Sequence, residues 1–185
     1  MESSTNVAVL GSTGSIGRSA LEVIQGDPRL RAVGLTAHSQ IELLVRQAQS
    51  VRPCQVVITD PERLGDRCLA ELPAKIEVLR GEEGIRRLVT SAEVNVVLAG
   101  IVGSAGLLGT WAAVEAGKTV ALANKEALVM AGPLVMDLAR QRGATILPVD
   151  SEHNAIFQCL RAGRRSEVRK IVLTASGGPF RTTPR

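Results

Sequence analysis

Residues 7–17 read Val-Ala-Val-Leu-Gly-Ser-Thr-Gly-Ser-Ile-Gly, a short apolar run that gives way to glycines at 11, 14 and 17. Four apolar residues bounded by glycine suit a buried strand, and residues 16–25 space their apolar side chains as a helix does, so the glycines stand where a strand becomes a helix. Glycine there lets the chain turn sharply and lets the backbone approach a pyrophosphate, whose charge is favoured by the free amides and dipole at a helix N-terminus. Thr13 and Ser15 could add hydroxyl donors. The spacing is a variant of the common dinucleotide fingerprint, whose first two glycines lie two apart. A bare turn accounts for one or two of the glycines; all three between a strand and a helix point to nucleotide binding.

Outward from this stretch the same alternation continues. Apolar runs at 7–10, 32–36, 56–59, 76–79, 96–99, 119–122, 145–148 and 170–174 are read as strands. Helical periodicity fills 16–25, 41–49, 61–71, 83–90, 107–116, 125–140 and 154–161. Regular alternation of this kind predicts βαβ units, hence an α/β fold with a Rossmann-like, doubly wound, mostly parallel sheet. Residues 94–114 carry no charge and are long enough to span a bilayer, but Gly100, Gly103, Gly106 and Gly109 break them into strand, turn and helix, so no membrane segment is expected.

The chain has 185 residues, 45% of them hydrophobic, enough to bury a core. Its 22 Lys and Arg against 18 Asp and Glu are dispersed except for Arg161, Arg164, Arg165, Arg169 and Lys170, read as a solvated face. Only Trp111, Phe157 and Phe180 are aromatic, which argues against a nucleic-acid surface. The three cysteines lack the paired spacing of a zinc or redox site and are read as thiols in a reducing compartment, with Cys159 in the core. The first residues have no basic start followed by an apolar run, so a cytoplasmic protein is expected. The ending Thr-Thr-Pro-Arg follows a glycine turn without a closing helix and is read as truncated.

In such sheets the connections after the strands form the ligand crevice. After the second strand comes Thr36-Ala37-His38-Ser39-Gln40, with no carboxylate for a ribose and no Arg or Lys for a 2′-phosphate. His38 and Ser39 either contribute to a phosphate site or lead into and cap the next helix. Gly100 to Gly106 either admits a ligand to the backbone or lets a helix pack closely. Asn124, Lys125 and Glu126 either grip cofactor and substrate or serve as N-cap and acidic first turn. Asp150 and Glu152, in Leu-Pro-Val-Asp-Ser-Glu-His-Asn, would project to one side of an extended segment and suit a hard divalent cation, Mg²⁺ or Mn²⁺; a capped helix start is the rival. His153 is read as structural. Ser176, before two glycines, is either part of a phosphate cradle or an ordinary turn.

Together, residues 11–17, 117–129 (Gly-Lys-Thr-Val-Ala-Leu-Ala-Asn-Lys-Glu-Ala-Leu-Val), 147–158 (Leu-Pro-Val-Asp-Ser-Glu-His-Asn-Ala-Ile-Phe-Gln) and 174–181 (Thr-Ala-Ser-Gly-Gly-Pro-Phe-Arg) resemble the 1-deoxy-D-xylulose 5-phosphate reductoisomerase family. The resemblance spans nearly the whole chain. It implies an NADPH-dependent oxidoreductase with Mn²⁺ or Mg²⁺, which rearranges 1-deoxy-D-xylulose 5-phosphate and reduces the product to 2-C-methyl-D-erythritol 4-phosphate in isoprenoid biosynthesis. By that resemblance Thr13, Gly14, Ser15 and Ile16 hold the NADPH pyrophosphate, and Asn124 and Glu126 contact the cofactor further along. Lys125, Ser151, Glu152 and Ser176 hold substrate, and Asp150 and Glu152 are two of three metal carboxylates, so Lys125, Asp150 and Glu152 form the catalytic set. Residues 1–149 would be the NADPH-binding domain and 150–185 the beginning of an α/β catalytic domain, inactive alone and homodimeric in the full-length protein. The loop at 38–40 departs from the Gly-Lys-Asn or Gly-Arg-Asn frequent in that family. Two other readings are another NADP-dependent dehydrogenase, such as a relative of aspartate-semialdehyde dehydrogenase, and a non-catalytic nucleotide-sensing module. The first needs a cysteine at the crevice, where neither Cys54 nor Cys68 falls; the second gives no reason for Asp150 and Glu152.

Overall fold

A computed structural model of the chain describes residues 4–174. β1 (Thr5–Leu10) ends in four buried residues and turns through the glycines into α1 (Ser15–Gly26), whose buried Gly17, Leu21 and Ile24 recur along one face. There follow β2 (Leu30–Ala37), α2 (Ile41–Val51), β3 (Gln55–Ile58), β4 (Glu77–Arg80) and α3 (Gly81–Thr90). The rest is β5 (Val96–Ala99), α4 (Ala105–Glu115), β6 (Thr119–Leu122), α5 (Lys125–Arg142), β7 (Thr145–Pro148) and α6 (Ser151–Arg161).

The strands make one sheet of seven in the order β4-β3-β2-β1-β5-β6-β7. The pairings from β4 to β6 are all parallel. Winding runs outward from β1 to β4, then restarts at β5 on the other side of β1. Ala8 and Leu10 join a core with Ile85 and Leu88 of α3, Ala112 of α4 and Val135 of α5. Val7 and Val9, two apart from one another and offset by one, face the opposite way, where Leu21, Ile24, Leu44 and Val45 of α1 and α2 are buried. Helices on both faces explain why Val56, Val57 and Ile58 are all fully buried in succession: a covered parallel strand is apolar throughout rather than alternately.

The chain divides into two compact units, Met1–Leu147 and Pro148–Arg185. The first carries α1 to α5 and nearly all of the sheet; the second begins at the last residue of β7 and includes α6.

Three expectations need correction, and one helix that falls where expected carries a bend. Residues 61–71 form two short 3₁₀ turns, Pro61–Arg63 and Arg67–Glu71, instead of one helix. Asp60 accepts from the Glu62 amide to start the first turn, and Gly65 and Asp66 interrupt before the second. Residues 170–174 are exposed and not a strand; a strand exists only within a ladder, and no described strand pairs with them. Helix α5 is bent, with Ala131 at φ −139°, ψ 21°, because Pro133 two residues on cannot donate to the Val129 carbonyl. Finally, α6 begins at Ser151 instead of 154, which changes the geometry of the carboxylates there.

Candidate functional site

The reversal of winding between β1 and β5 opens a crevice beyond their carboxyl ends, the usual ligand position in such sheets. Two glycine turns meet there. Gly100 donates its amide to Leu10 O at 3.0 Å, and a Cβ on Gly11 would lie 3.0 Å from Gly100 O. Gly11 also has φ +76°, so its position is closed to side chains on two counts. Gly17 has another reason: a Cβ would come within 2.5 Å of Ser12 Cα, so α1 could not seat against β1. Gly14 differs from both. Its Cβ would meet nothing nearer than Gly11 O at 3.4 Å, and it is exposed at the N-cap of α1 with no side chain capping the helix. The amides of Ser15, Ile16 and Gly17 therefore face an open helix mouth without intrahelical partners. Ser15 and Ile16 are exposed; Thr13 is buried at 8% exposure.

Behind the turn lies an anchor that sequence reasoning missed. The Gly11 amide donates to Thr36 Oγ1 at 2.8 Å and the Ser12 amide to Thr36 O at 2.9 Å. Ser12, fully buried, exchanges two bonds with Gln47 of α2: Ser12 Oγ donates to Gln47 Oε1 at 2.8 Å, and Gln47 Nε2 donates to Ser12 O at 2.8 Å. Nothing in the local sequence marks Gln47, which lies 35 positions from Ser12.

The crevice continues across the sheet as two clefts. One of about 210 Å³ is lined by Thr13, Gly14, His38, Ser39, Thr59 and Gly100 among others. The next, about 410 Å³, shares His38, Thr59 and Ile101 and adds Glu82, Ile85 and Leu108. His38 Nδ1 lies 3.0 Å from Thr59 Oγ1. No Arg or Lys lines either cleft, and Glu82 contributes the one carboxylate among the described lining residues.

Asn124, Lys125 and Glu126 open α5 in the same unit. Asn124, 3% exposed, accepts from the Ala127 amide at 3.0 Å through Oδ1 while Nδ2 donates to the carbonyls of Ile101 and Gly103. It is thus both helix cap and clamp on the second glycine turn. Lys125 is exposed and Glu126 half-buried.

In the second unit, Asp150 is the N-cap of α6 and Ser151 and Glu152 its first helical residues. The expectation that 150 and 152 alternate along an extended segment is corrected: Asp150 Oδ1 accepts from the His153 amide at 3.0 Å, so the helix starts at once. His153 Nδ1 lies 2.6 Å from Asp150 Oδ1, and Ser151 Oγ donates to Glu152 Oε2 at 3.0 Å. Asp150 and Glu152 are half-buried, and Glu152 borders a groove of about 460 Å³ with Ile156, Cys159, Lys170 and Thr174. Cys159, expected in the core, is exposed, because the turn of α6 that carries it lines this open groove. No cluster of three or more His, Cys, Asp or Glu is gathered among the described residues. Ser176 lies outside the described residues.

A doubly wound parallel sheet with glycine turns crossing at its switch point defines a Rossmann-like domain of the dinucleotide-binding class. Residues 7–132 match the 1-deoxy-D-xylulose 5-phosphate reductoisomerase family, and residues 146–185 match that family's C-terminal domain. The chain belongs to this family. It is 51% identical to the 1-deoxy-D-xylulose 5-phosphate reductoisomerase of Pseudomonas putida, over 96% of this chain and 46% of that one. The Zymomonas mobilis reductoisomerase in complex with NADPH superimposes with a TM-score of 0.86 at 45% identity, covering 97% of this chain and 48% of the other. A DOX-P reductoisomerase with NADPH, fosmidomycin and magnesium gives 0.79 at 44% identity, covering 84% and 39%. The chain thus spans about half the length of the relatives it matches.

Proposed function

We propose that this chain is the cofactor-binding and metal-binding portion of an NADPH-dependent reductoisomerase that converts 1-deoxy-D-xylulose 5-phosphate to 2-C-methyl-D-erythritol 4-phosphate. The observation that carries the reading is the open, uncapped mouth of α1 at Gly14, framed by Gly11 and Gly100 where the winding reverses. A pyrophosphate fits the donors there: Thr13, Gly14, Ser15 and Ile16 hold it, and the clefts beyond His38 receive the rest of the dinucleotide. Family membership and the NADPH and magnesium named in related structures support the same assignment.

Residues 1–149 form the NADPH-binding domain and 150–185 begin the catalytic domain. When bound, NADPH supplies the hydride and Mg²⁺ or Mn²⁺ polarises substrate oxygens. Asp150 and Glu152 offer hard oxygen donors and are part of the metal's ligand set. Lys125, exposed at the first turn of α5, places a cation for a substrate oxygen or phosphate, and Ser151, Glu152 and Ser176 complete the hold on the small phosphorylated sugar. Glu126 and Asn124 border the cofactor, Asn124 by fixing the turn at 101–103. No helix among the described residues is long and apolar enough to cross a membrane. The complete enzyme is, in this reading, a cytoplasmic homodimer.

The test is NADPH consumption by the full-length protein with 1-deoxy-D-xylulose 5-phosphate and Mn²⁺. Turnover that persists in chelator, or in Glu152→Gln, contradicts the assignment; the 185-residue chain alone binds NADPH and turns nothing over.

A further inference from the structure

We infer that Gln47 is a positioning residue that sets which way the amides of the first glycine turn face. The inference rests on the dinucleotide reading above and deepens it. In this turn the amides of Gly11, Ser12 and Gly14 already donate, to Thr36 Oγ1, Thr36 O and Gly11 O. The Thr13 amide has no partner among the described residues. A trans peptide is planar, so the Ser12 carbonyl and the Thr13 N–H point in opposite directions. Gln47 Nε2 holds the Ser12 carbonyl toward α2 at 2.8 Å, which turns the Thr13 N–H away from α2 and toward the cleft that Thr13 and Gly14 line. The bond from Ser12 Oγ to Gln47 Oε1 fixes the amide of Gln47 in the orientation that leaves Nε2 facing the carbonyl. Ser12 is fully buried and Gln47 half-buried, so the bond stands at the edge of the core.

Without the Gln47 donor the 12–13 peptide is free to rotate, and a rotated peptide would present a carbonyl oxygen to a pyrophosphate in place of an amide. Gln47 touches no cofactor in this scheme. It acts through one peptide bond, on helix α2, which otherwise packs behind the turn.

The test titrates NADPH into the wild-type chain and into Gln47→Met, Gln47→Glu and Gln49→Met, following cofactor fluorescence, thermal midpoint and the Thr13 amide resonance. Glutamate matches the size of Gln47 and still accepts from Ser12 Oγ but cannot donate to Ser12 O. Gln49, on the same helix, bonds instead to Glu71 O and serves as control. The expected result is binding weakened about fivefold or more in both Gln47 variants, as for one lost oriented hydrogen bond. The Thr13 resonance moves without cofactor, and Gln49→Met binds as wild type. Equal binding by wild type and both Gln47 variants overturns the inference alone. Weakened binding with an unmoved Thr13 resonance and a lowered midpoint also overturns it, as a loss of packing. A folded wild-type chain that binds no nicotinamide cofactor overturns this inference and the function together.

Discussion

The amide nitrogen of Asn124 occupies the space that a side chain at Gly106 would need: a Cβ there would overlap Asn124 Nδ2 and the Ile101 carbonyl. The glycine that permits helix α4 to begin is thus the one that admits the cap of helix α5. Asn124→Ala removes a buried cap and two part-buried bonds to Ile101 and Gly103, and is expected to cost about 2–3 kcal/mol. Asn124→Asp keeps the acceptor for the Ala127 amide but sets a carboxylate against two carbonyls, so it should destabilise more than alanine. Urea unfolding orders the two; an aspartate variant as stable as wild type would mean the clamp is absent.

Gly17 and Gly26 sit in one helix with opposite surroundings. A Cβ at Gly17 would strike Ser12 Cα within 2.5 Å, while at Gly26 nothing lies within 4 Å. Gly17→Ala should therefore cost about 1–3 kcal/mol through displaced backbone. Gly26→Ala should stabilise by about 0.4–1 kcal/mol by restricting the unfolded chain. Denaturant midpoints of the two variants check both signs.

On the proposed reading, His38 stands where cofactor preference would be set. Its cleft holds Glu82 and no described cation, so a 2′-phosphate there has only neutral donors and His38 to meet it. His38→Arg is expected to tighten NADPH relative to NADH by about tenfold, and His38→Asp to shift the ratio toward NADH. Paired titrations with the two cofactors give the ratios.

One substitution separates the helix cap that Asp150 forms from the metal-ligand role proposed for it. Asparagine caps helices as well as aspartate does, so Asp150→Asn should retain the bond to the His153 amide and leave stability within about 0.5 kcal/mol. Loss of a charged ligand should nonetheless raise the Mn²⁺ concentration needed by the full-length enzyme by about tenfold or more. Activity against Mn²⁺ concentration, beside a melting curve, measures the two effects independently.

How far the sequence could be read depends on whether its signals are local. Strands β1, β5, β6 and β7 fall where their apolar runs place them, since a short apolar stretch bounded by turns is a local signal. The segment 61–71 misled because its apolar spacing suits a helix while Gly65 and Asp66 break it, and turn chemistry prevailed. At Asp150 the period-two argument failed because a cap ends the extended segment one residue earlier than alternation assumes. Thr36 and Gln47 gave no local signal: their importance comes from bonds to Gly11 and Ser12 across 25 and 35 residues of chain. Asn124 gave the signal of a cap but not of its hold on the distant turn.

The most direct measurement is calorimetric titration of NADPH into the folded 185-residue chain and its Gly14→Trp variant. At Gly14 the nearest atom to an added Cβ is 3.4 Å away, so an indole should fit outside the fold and cover the helix mouth without unfolding it. The account predicts single-site NADPH binding to the wild type, weakened about a hundredfold or more in the variant, with little change in thermal midpoint. Equal affinity in the two proteins would contradict it, because the pyrophosphate would then lie somewhere other than the glycine turn.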